Sequence, residues 1–428
     1  MRYLLLWVAA AASAQTAKVL TLSEAEAIAV KSHPRVNSAL LNARASDAVT
    51  RQVGSARYPL VSSNLTGTGV QKDTATAAGA LTTSSLFNRL AAGVVASQLL
   101  YDFGRAGNLT RSAGMRADAQ RETAQATRAQ MQVRAAYFQA LQAQSVLKVA
   151  QETVAARQLT LRQVTRLFES KLKSSLDVSF GEVNLSEAEL LLFRAENDIK
   201  AALAELAAGM GQSTIDAALA DEPMPSPLDP DAKSSVDQAM KQRPELLSLR
   251  LQRDAALQFA RAEKSLLYPT VSAIAAAGVL PAHDDKLHGS YSGIGLNVSI
   301  PVLNGSLYSA RRTEADLRAQ AAAQDVRDLE IRIERDVKVA WFNATNAFRR
   351  LDVTARLLDQ STRSLRLAQS RYDLGLGSIV ELNQALLNKT SAEISNAGAK
   401  YEYQTARAVL DYQVGQTERR DKPACNKE

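Results

Sequence analysis

The spacing of apolar residues divides this chain into long helical segments and short strand-like ones. Apolar residues occupy every second position from Ile294 to Ile300, and glycine, asparagine or serine fills the positions between them. This period of two is typical of a strand with one apolar face. The segment 90–100 alternates in the same way. By contrast, residues 105–171 contain no proline and few glycines, which predicts a long helix.

Apolar residues also recur every seven positions along two helical segments. The first row is Leu147, Val154, Leu161 and Phe168, and the second is Leu351, Leu358, Leu365 and Tyr372, with Thr354, Ser361 and Ala368 between its members. A sustained spacing of seven predicts coiled-coil packing. After each row the chain turns, and a shorter helix runs back to Gly211 or Gly415. Each row therefore belongs to a predicted helical hairpin.

The whole pattern occurs twice. Tyr58-Pro59 returns 210 positions later as Tyr268-Pro269, and each pair stops a helix before a strand-like segment. Further along, the displacement is 204, so that Val133–Phe138 corresponds to Val337–Phe342. A duplication of this length indicates two structural units of the same topology.

The repeat defines the predicted organisation of the chain. Residues 1–14 have a charged start, a short apolar run and Ala-Ser-Ala, which predicts a cleaved signal peptide. The first repeat covers 15–220 and the second covers 234–417. The segment 221–233 holds four of the 11 prolines and is predicted to be an extended linker, and 418–428 is a polar tail. We expect linker and tail to lie outside the packed body. The strand hairpins are placed at about 60–101 and 269–302, and the helical hairpins at about 105–212 and 306–416.

Composition excludes several classes of function. The net charge is +7, but lysine and arginine are interleaved with acidic residues and form no aromatic-lined patch, which argues against nucleic-acid binding. Neither a glycine-rich phosphate loop after a strand nor a Cys/His nucleophile pair is present. We expect no cofactor. The segment His283–His288 holds residues that could bind a metal, but it lies between two predicted strands and reads as an exposed loop, so we expect no metal site.

The four predicted strands could span a membrane if several chains contributed their strands to one barrel. One apolar face and one small or polar face is the pattern of a transmembrane strand, although an ordinary half-buried hairpin in a soluble sheet shows it too. Four strands are too few to close a barrel, for which roughly eight is the practical minimum. Open sheet edges are not tolerated in lipid, so a barrel would need several chains.

Several motifs, in the same order in both halves, match a known family. The strands end at Tyr101–Gly104 and at Pro301–Gly305, and the second helical hairpin turns within Arg371–Leu382. Together with the two Tyr-Pro pairs, these segments make the chain resemble the TolC family of outer-membrane efflux and secretion channels from Leu20 to Gln416.

The resemblance implies a mainly α fold with a transmembrane β-barrel part. Each chain would contribute four strands to the shared twelve-stranded barrel of a homotrimer, and its duplicated halves would extend a long coiled-coil α-helical barrel into the periplasm. The implied function is a passive conduit, without catalysis, in the outer membrane of a Gram-negative-type cell and in contact with lipid. It would be opened by a periplasmic adaptor protein and an inner-membrane transporter, for efflux or type I secretion. The alternative is a soluble periplasmic coiled-coil adaptor or scaffold.

The resemblance also implies which residues meet the adaptor. In the family the turns of the helical hairpins form the periplasmic tips. The matching positions are Lys171, Leu172, Lys173 and Ser174 in the first turn, and Gly375, Leu376, Gly377 and Ser378 in the second. Alternatively, these residues do no more than reverse the chain.

The periplasmic gate is the second site that the resemblance implies. Glu381 matches the first acidic ring of the family, and Gln384 departs from the second. Tyr372 and Asp177 match a tyrosine and an aspartate that tie the gate shut, while Gly377 stands where a basic residue would be. The simpler readings are that Glu381 is a solvated acid at a helix N-terminus and that Tyr372 is a packing residue.

Overall fold

The computed structural model describes residues 19–69, 75–78, 81–85, 88–129, 133–228, 231–283, 285 and 287–415. The predicted signal peptide and polar tail lie outside these residues. The helices are α1 Leu22–Ser32, α2 Pro34–Gly54, α3 Arg105–Ala129, α4 Val133–Glu169, α5 Ser175–Met210, α6 Ala232–Gln242, α7 Pro244–Lys264, α8 Leu307–Asp373 and α9 Ile379–Val414. The strands are β1 Val19–Leu20, β2 Leu60–Thr68, β3 Ala75–Ala78, β4 Leu81–Ser85, β5 Arg89–Tyr101, β6 Ala218–Leu219, β7 Thr270–His283 and β8 Ser290–Ser299. The predicted mainly helical fold with a smaller β part is confirmed.

The chain divides into two compact units. The first contains residues up to 38, 125–243 and 331 onwards, and the second contains 39–124 and 244–330. The helical hairpins α4–α5 and α8–α9 have their turns in the first unit, and the paired strands β2, β5, β7 and β8 lie in the second.

Small residues form most of the seam of the helical hairpins in the first unit, except on α4, where the buried row is Ala150, Arg157 and Val164. The buried positions recur every seven residues at Ala340, Ala347, Thr354, Ser361 and Ala368 on α8, at Ala385, Ala392 and Ala399 on α9, and at Gly181, Ala188 and Ala195 on α5. The predicted leucine row on α8 is half-buried, and Phe168 at the end of the α4 row is exposed. The period of seven is therefore present, but the small residues occupy the contact because they let two helices approach closely.

A small parallel sheet of β1 and β6 anchors the other end of the first unit. The hydroxyl of Tyr137 lies 2.8 Å from the carbonyl oxygen of Leu20 and 2.7 Å from that of Ala220, so its single hydrogen is shared between the two strand ends. Thr21 then starts α1 with a capping box, in which its side chain and that of Glu24 each accept the other's backbone N–H.

The linker departs from its prediction. Instead of lying clear of the packed body, it is held along α9 by three hydrogen bonds. Tyr403 donates to the carbonyl of Ser226 and Gln404 donates to that of Glu222, each over 3.0 Å, and Lys400 pairs with Asp221. Proline lacks a backbone donor, but the carbonyls of such a segment remain free to accept from a neighbouring helix.

The second unit is built on an antiparallel sheet in the order β2-β5-β7-β8. The β2 and β8 strands are its edges, each with one neighbour in the described part of the chain. Glycine is required where Tyr291 crosses the sheet. A Cβ added at Gly93 would lie 2.1 Å from the Tyr291 hydroxyl oxygen, and one added at Gly278 would lie 2.6 Å from it.

The predicted alternation on β8 is present, and every residue of this strand is exposed in the single chain. Ile294 is 87% exposed, and Leu296, Val298 and Ile300 share its face. Among the residues described, no helix combines the length and apolar character needed to cross a membrane.

Candidate functional site: the two hairpin turns

The first turn joins α4 to α5 and ends α4 with a left-handed residue. Lys171 has φ 60°, and the next backbone N–H, that of Leu172, donates to the carbonyl of Leu167 over 2.8 Å. This is a Schellman closure, which usually places glycine at the left-handed position. A lysine there carries a cost of about 1 kcal/mol in backbone strain.

The second turn repeats this backbone with the expected glycine. Gly375 has φ 73°, and the N–H of Leu376 donates to the carbonyl of Arg371 over 2.8 Å. The two turns therefore have the same hydrogen-bonding frame at positions 204 residues apart. Each frame holds its leucine outwards, with Leu172 70% and Leu376 68% exposed.

A serine starts the returning helix after each turn. Ser174 and Asp177 form a capping box, in which the Asp177 carboxylate accepts from the N–H and hydroxyl of Ser174 over 2.9 and 2.7 Å. Ser378 accepts from the N–H of Glu381 over 3.1 Å, but the Glu381 carboxylate does not complete the box. Asp177 therefore caps the N-terminus of its own helix, whereas the Glu381 carboxylate makes no such cap.

Glu381 turns towards the preceding helix. Its Oε1 accepts from Nε of Arg371 over 2.9 Å, and Nη2 of the same arginine donates to the carbonyl of Leu376 over 3.2 Å. Gln384, the second predicted ring position, donates to Asn388 on its own helix over 3.0 Å. The carboxylate predicted to line a bore is thus already paired within its own chain.

Tyr372 lies in an apolar cluster that joins the two hairpins just before their turns. Its side chain is 3% exposed and packs with Val164 of α4 and with Ile379 and Leu382 of α9, and half-buried Val178 and Phe180 of α5 border them. The position that corresponds to it in the first repeat, Phe168, is 43% exposed. The packing role considered for Tyr372 is therefore present.

The first turn presents opposite charges to Tyr372. Nζ of Lys173 lies 3.7 Å from the centre of the tyrosine ring and 3.5 Å from the Tyr372 carbonyl oxygen. The tyrosine hydroxyl makes no hydrogen bond of standard geometry in the described part of the chain. Burial and the nearby charge of Asp177 nevertheless raise the pKa of Tyr372 to about 12. The hydroxyl therefore stays protonated at physiological pH.

Asp177 is stabilised as an anion in this arrangement. Partial desolvation opposes its ionisation, but the hydrogen bonds from Ser174 and the charge of Lys173 outweigh it, and the pKa of Asp177 is lowered. The carboxylate contributes stability above the ordinary carboxyl pKa and loses that contribution as the pH falls through its own lowered value.

Sequence reasoning brought together Tyr372 and Asp177. The structure places the Tyr372 hydroxyl close enough to the Asp177 carboxylate for the two groups to shift each other's pKa, although the contact falls outside standard hydrogen-bond geometry. It missed two contacts. The pairing of Arg371 with Glu381 spans ten residues and depends on the turn geometry. The reach of Lys173 to Tyr372 had a signal in the sequence, because Lys173 is the repeat counterpart of Gly377.

Comparisons with known proteins agree with this architecture. The family model described as outer membrane efflux protein matches residues 27–212 and 235–416. Outer membrane protein TolC of Salmonella enteritidis is 23% identical over 354 residues, which cover 79% of this chain and 72% of that protein.

Solved structures show the same fold. A membrane protein from Pseudomonas aeruginosa aligns with a TM-score of 0.80 at 20% identity, over 92% of this chain and 93% of its own. The outer membrane protein VceC from Vibrio cholerae aligns with a TM-score of 0.78 at 17% identity, over 92% and 96% of the two chains.

Proposed function

This chain belongs to the outer membrane efflux protein family, and we propose that three copies form one passive conduit from the periplasm to the exterior. The outer membrane is its location, and the scaffold alternative is not favoured. The conduit performs no chemistry, and its energy comes from an inner-membrane transporter that reaches it through a periplasmic adaptor.

The observation that carries the trimer is the sheet of the second unit. Its two outer strands, β2 and β8, each have an unpaired edge in the described chain, and β8 exposes an apolar face. Unpaired backbone groups cost several kcal/mol each in hydrocarbon, so such a sheet needs another sheet at each edge. Three chains of four strands close a barrel wide enough to enclose water.

The turns supply the proposed contact with the adaptor. Leu172 and Leu376 are the apolar residues at the outermost part of each turn, and both are exposed. A leucine held outwards by a rigid closure loses little conformational freedom when a partner covers it. We propose that Lys171–Ser174 and Gly375–Ser378 form the surface on which the adaptor docks.

Neighbouring residues on β8 test the membrane part of this proposal. Leu296→Arg places a charge on the apolar face, where it costs about 2–4 kcal/mol near the bilayer midplane. Asn297→Arg places the same charge on the opposite face and is the matched control. We expect the first variant to lose recovery from the outer-membrane fraction, and the second to be recovered as a trimer by native mass spectrometry in detergent.

Two results would contradict the proposal. One is recovery of the unaltered protein in the soluble periplasmic fraction, which would favour the scaffold alternative. The other is equal membrane recovery of both arginine variants, since the apolar face of β8 would then not meet lipid.

A further inference from the structure

A charged side chain of the first turn contacts Tyr372 in the second hairpin. The charged groups near the turns include Lys171, Lys173, Asp177, Arg371, Asp373 and Glu381. Arg371 and Glu381 pair within the second hairpin, whereas Lys173 crosses from the first hairpin to the second. Lys173 is thus a charged side chain that links the two hairpins where they end.

The geometry suits the electrostatics of a phenol ring. The face of an aromatic ring is negative and attracts a cation within about 6 Å of its centre. The Lys173 ammonium lies well within that distance, at 3.7 Å, and also faces the negative end of the Tyr372 carbonyl at 3.5 Å. Asp177, on the same turn, faces the positive hydroxyl end of the ring. Lys173 therefore contacts the negative face of the Tyr372 ring, and Asp177 faces its hydroxyl end.

The contact of Lys173 and Asp177 with Tyr372 is called the clasp here. The repeat explains why only the first turn makes such a contact. Gly377 corresponds to Lys173 and has no side chain with which to return the contact. A Cβ added there would lie 3.1 Å from Cβ of Arg371 and 3.3 Å from the backbone nitrogen of Tyr372. The space beside Gly377 is thus filled by the residues of its own turn.

We propose that Lys173 is a positioning residue of the gate, which holds Tyr372 and thereby keeps the two hairpin turns of one chain together in the closed state. This inference rests on the proposed conduit. The clasp lies at the end of the apolar cluster around Tyr372, where separating the hairpins first exposes that cluster to water. Releasing the clasp therefore lowers the cost of moving one hairpin away from the other.

Single-channel recording in planar lipid bilayers tests this role with the purified full-length protein and no adaptor. We expect Lys173→Gln to raise the ratio of open to closed time about two- to fivefold per subunit, the effect of losing one partly exposed cation–π contact. Lys173→Arg should behave like the unaltered protein, because guanidinium also stacks on an aromatic face. Arg166→Gln removes a charge from an exposed position on the last turn of α4 and should change nothing.

A double substitution shows whether Lys173 acts through the Tyr372 ring or only through its positive charge. In a Tyr372→Leu background, Lys173→Gln should have a much smaller effect, because the ring is gone and only the contact with the backbone carbonyl remains. If that background does not assemble, Tyr372→Phe replaces it, and there Lys173→Gln should keep its full effect because the ring remains.

The outcomes distinguish this inference from the function on which it rests. Equal gating by Lys173→Gln and Arg166→Gln, or an undiminished effect of Lys173→Gln in the leucine background, would overturn the clasp and leave the conduit intact. Absence of any conductance from the unaltered protein would instead overturn the conduit.

Discussion

At the first turn the carboxylate of Asp177 closes the N-terminus of its own helix, whereas at the second turn Glu381 is drawn back to Arg371 on the preceding helix. The backbone frames are alike, so the difference lies in the side chains. Lys173 of the first turn contacts the neighbouring hairpin, whereas Arg371, which precedes the second turn, pairs with Glu381 of its own hairpin. The two repeats thus share one backbone geometry at the turn but differ in their side chains. The first repeat supplies Lys173, and the second supplies the tyrosine that Lys173 contacts.

The largest expected difference concerns the aromatic position before each turn. Tyr372→Ala removes a buried ring from the cluster that joins the hairpins and should cost about 3 kcal/mol in local stability. Phe168→Ala, at the corresponding exposed position, should cost less than about 1 kcal/mol. Amide hydrogen exchange of both helical hairpins measures the two losses. Similar losses of protection in the two variants would show that the turns are not unequal in packing.

A smaller difference is expected at the adaptor. Leu172→Ser and Leu376→Ser remove equivalent exposed side chains, and each should weaken the docking by about tenfold, as expected of one apolar contact at an interface. The readout is the amount of periplasmic coiled-coil adaptor that copurifies with the tagged channel from detergent extracts of its native cells. A loss confined to one variant would assign docking to one turn, and no loss in either would remove the turns from the interface.

The smallest effect concerns ion selectivity. Arg371→Gln leaves the Glu381 carboxylates uncompensated, and the preference for cations in planar bilayers should rise about twofold, the scale of a solvated charge pair. Glu381→Gln leaves Arg371 uncompensated and should lower that preference by a similar factor. Asp352→Asn, which removes an exposed carboxylate of α8 away from the turns, is the control. Unchanged selectivity in both second-turn variants would place Glu381 away from the path of the ions.

Much of this architecture could be predicted from the sequence. The repeat displacement and the Tyr-Pro pairs located the strands, and the period of seven located the helical hairpins. The period could not show which row of the heptad makes the contact. Apolar size favours leucine, but the approach of two helices favours the alanine, serine and threonine beside it. The proline-rich composition of the linker also led to the prediction that it lies clear of the packed body. The linker sequence could not show otherwise, since the hydrogen bonds that hold it come from Tyr403 and Gln404 of α9 to its backbone carbonyls.

The site was predictable only as far as its positions match the TolC family. Asp177 and Tyr372 followed from that resemblance. The pairing of Arg371 with Glu381 did not, since it arises from a left-handed residue at Gly375 that reverses the chain and brings together residues ten positions apart. The order of residue types along the chain does not show that Arg371 and Glu381 come into contact.

The contact between Lys173 and Tyr372 also constrains how the chain can change in length. It requires both helical hairpins to end at the same level. Loss of one heptad from a single hairpin would move its turn by about 10 Å along the helix axis, far beyond the reach of a lysine side chain. Insertions and deletions in these helices can therefore persist only when both repeats acquire them together, so the two halves of the gene are bound to a common length even where their residues have diverged.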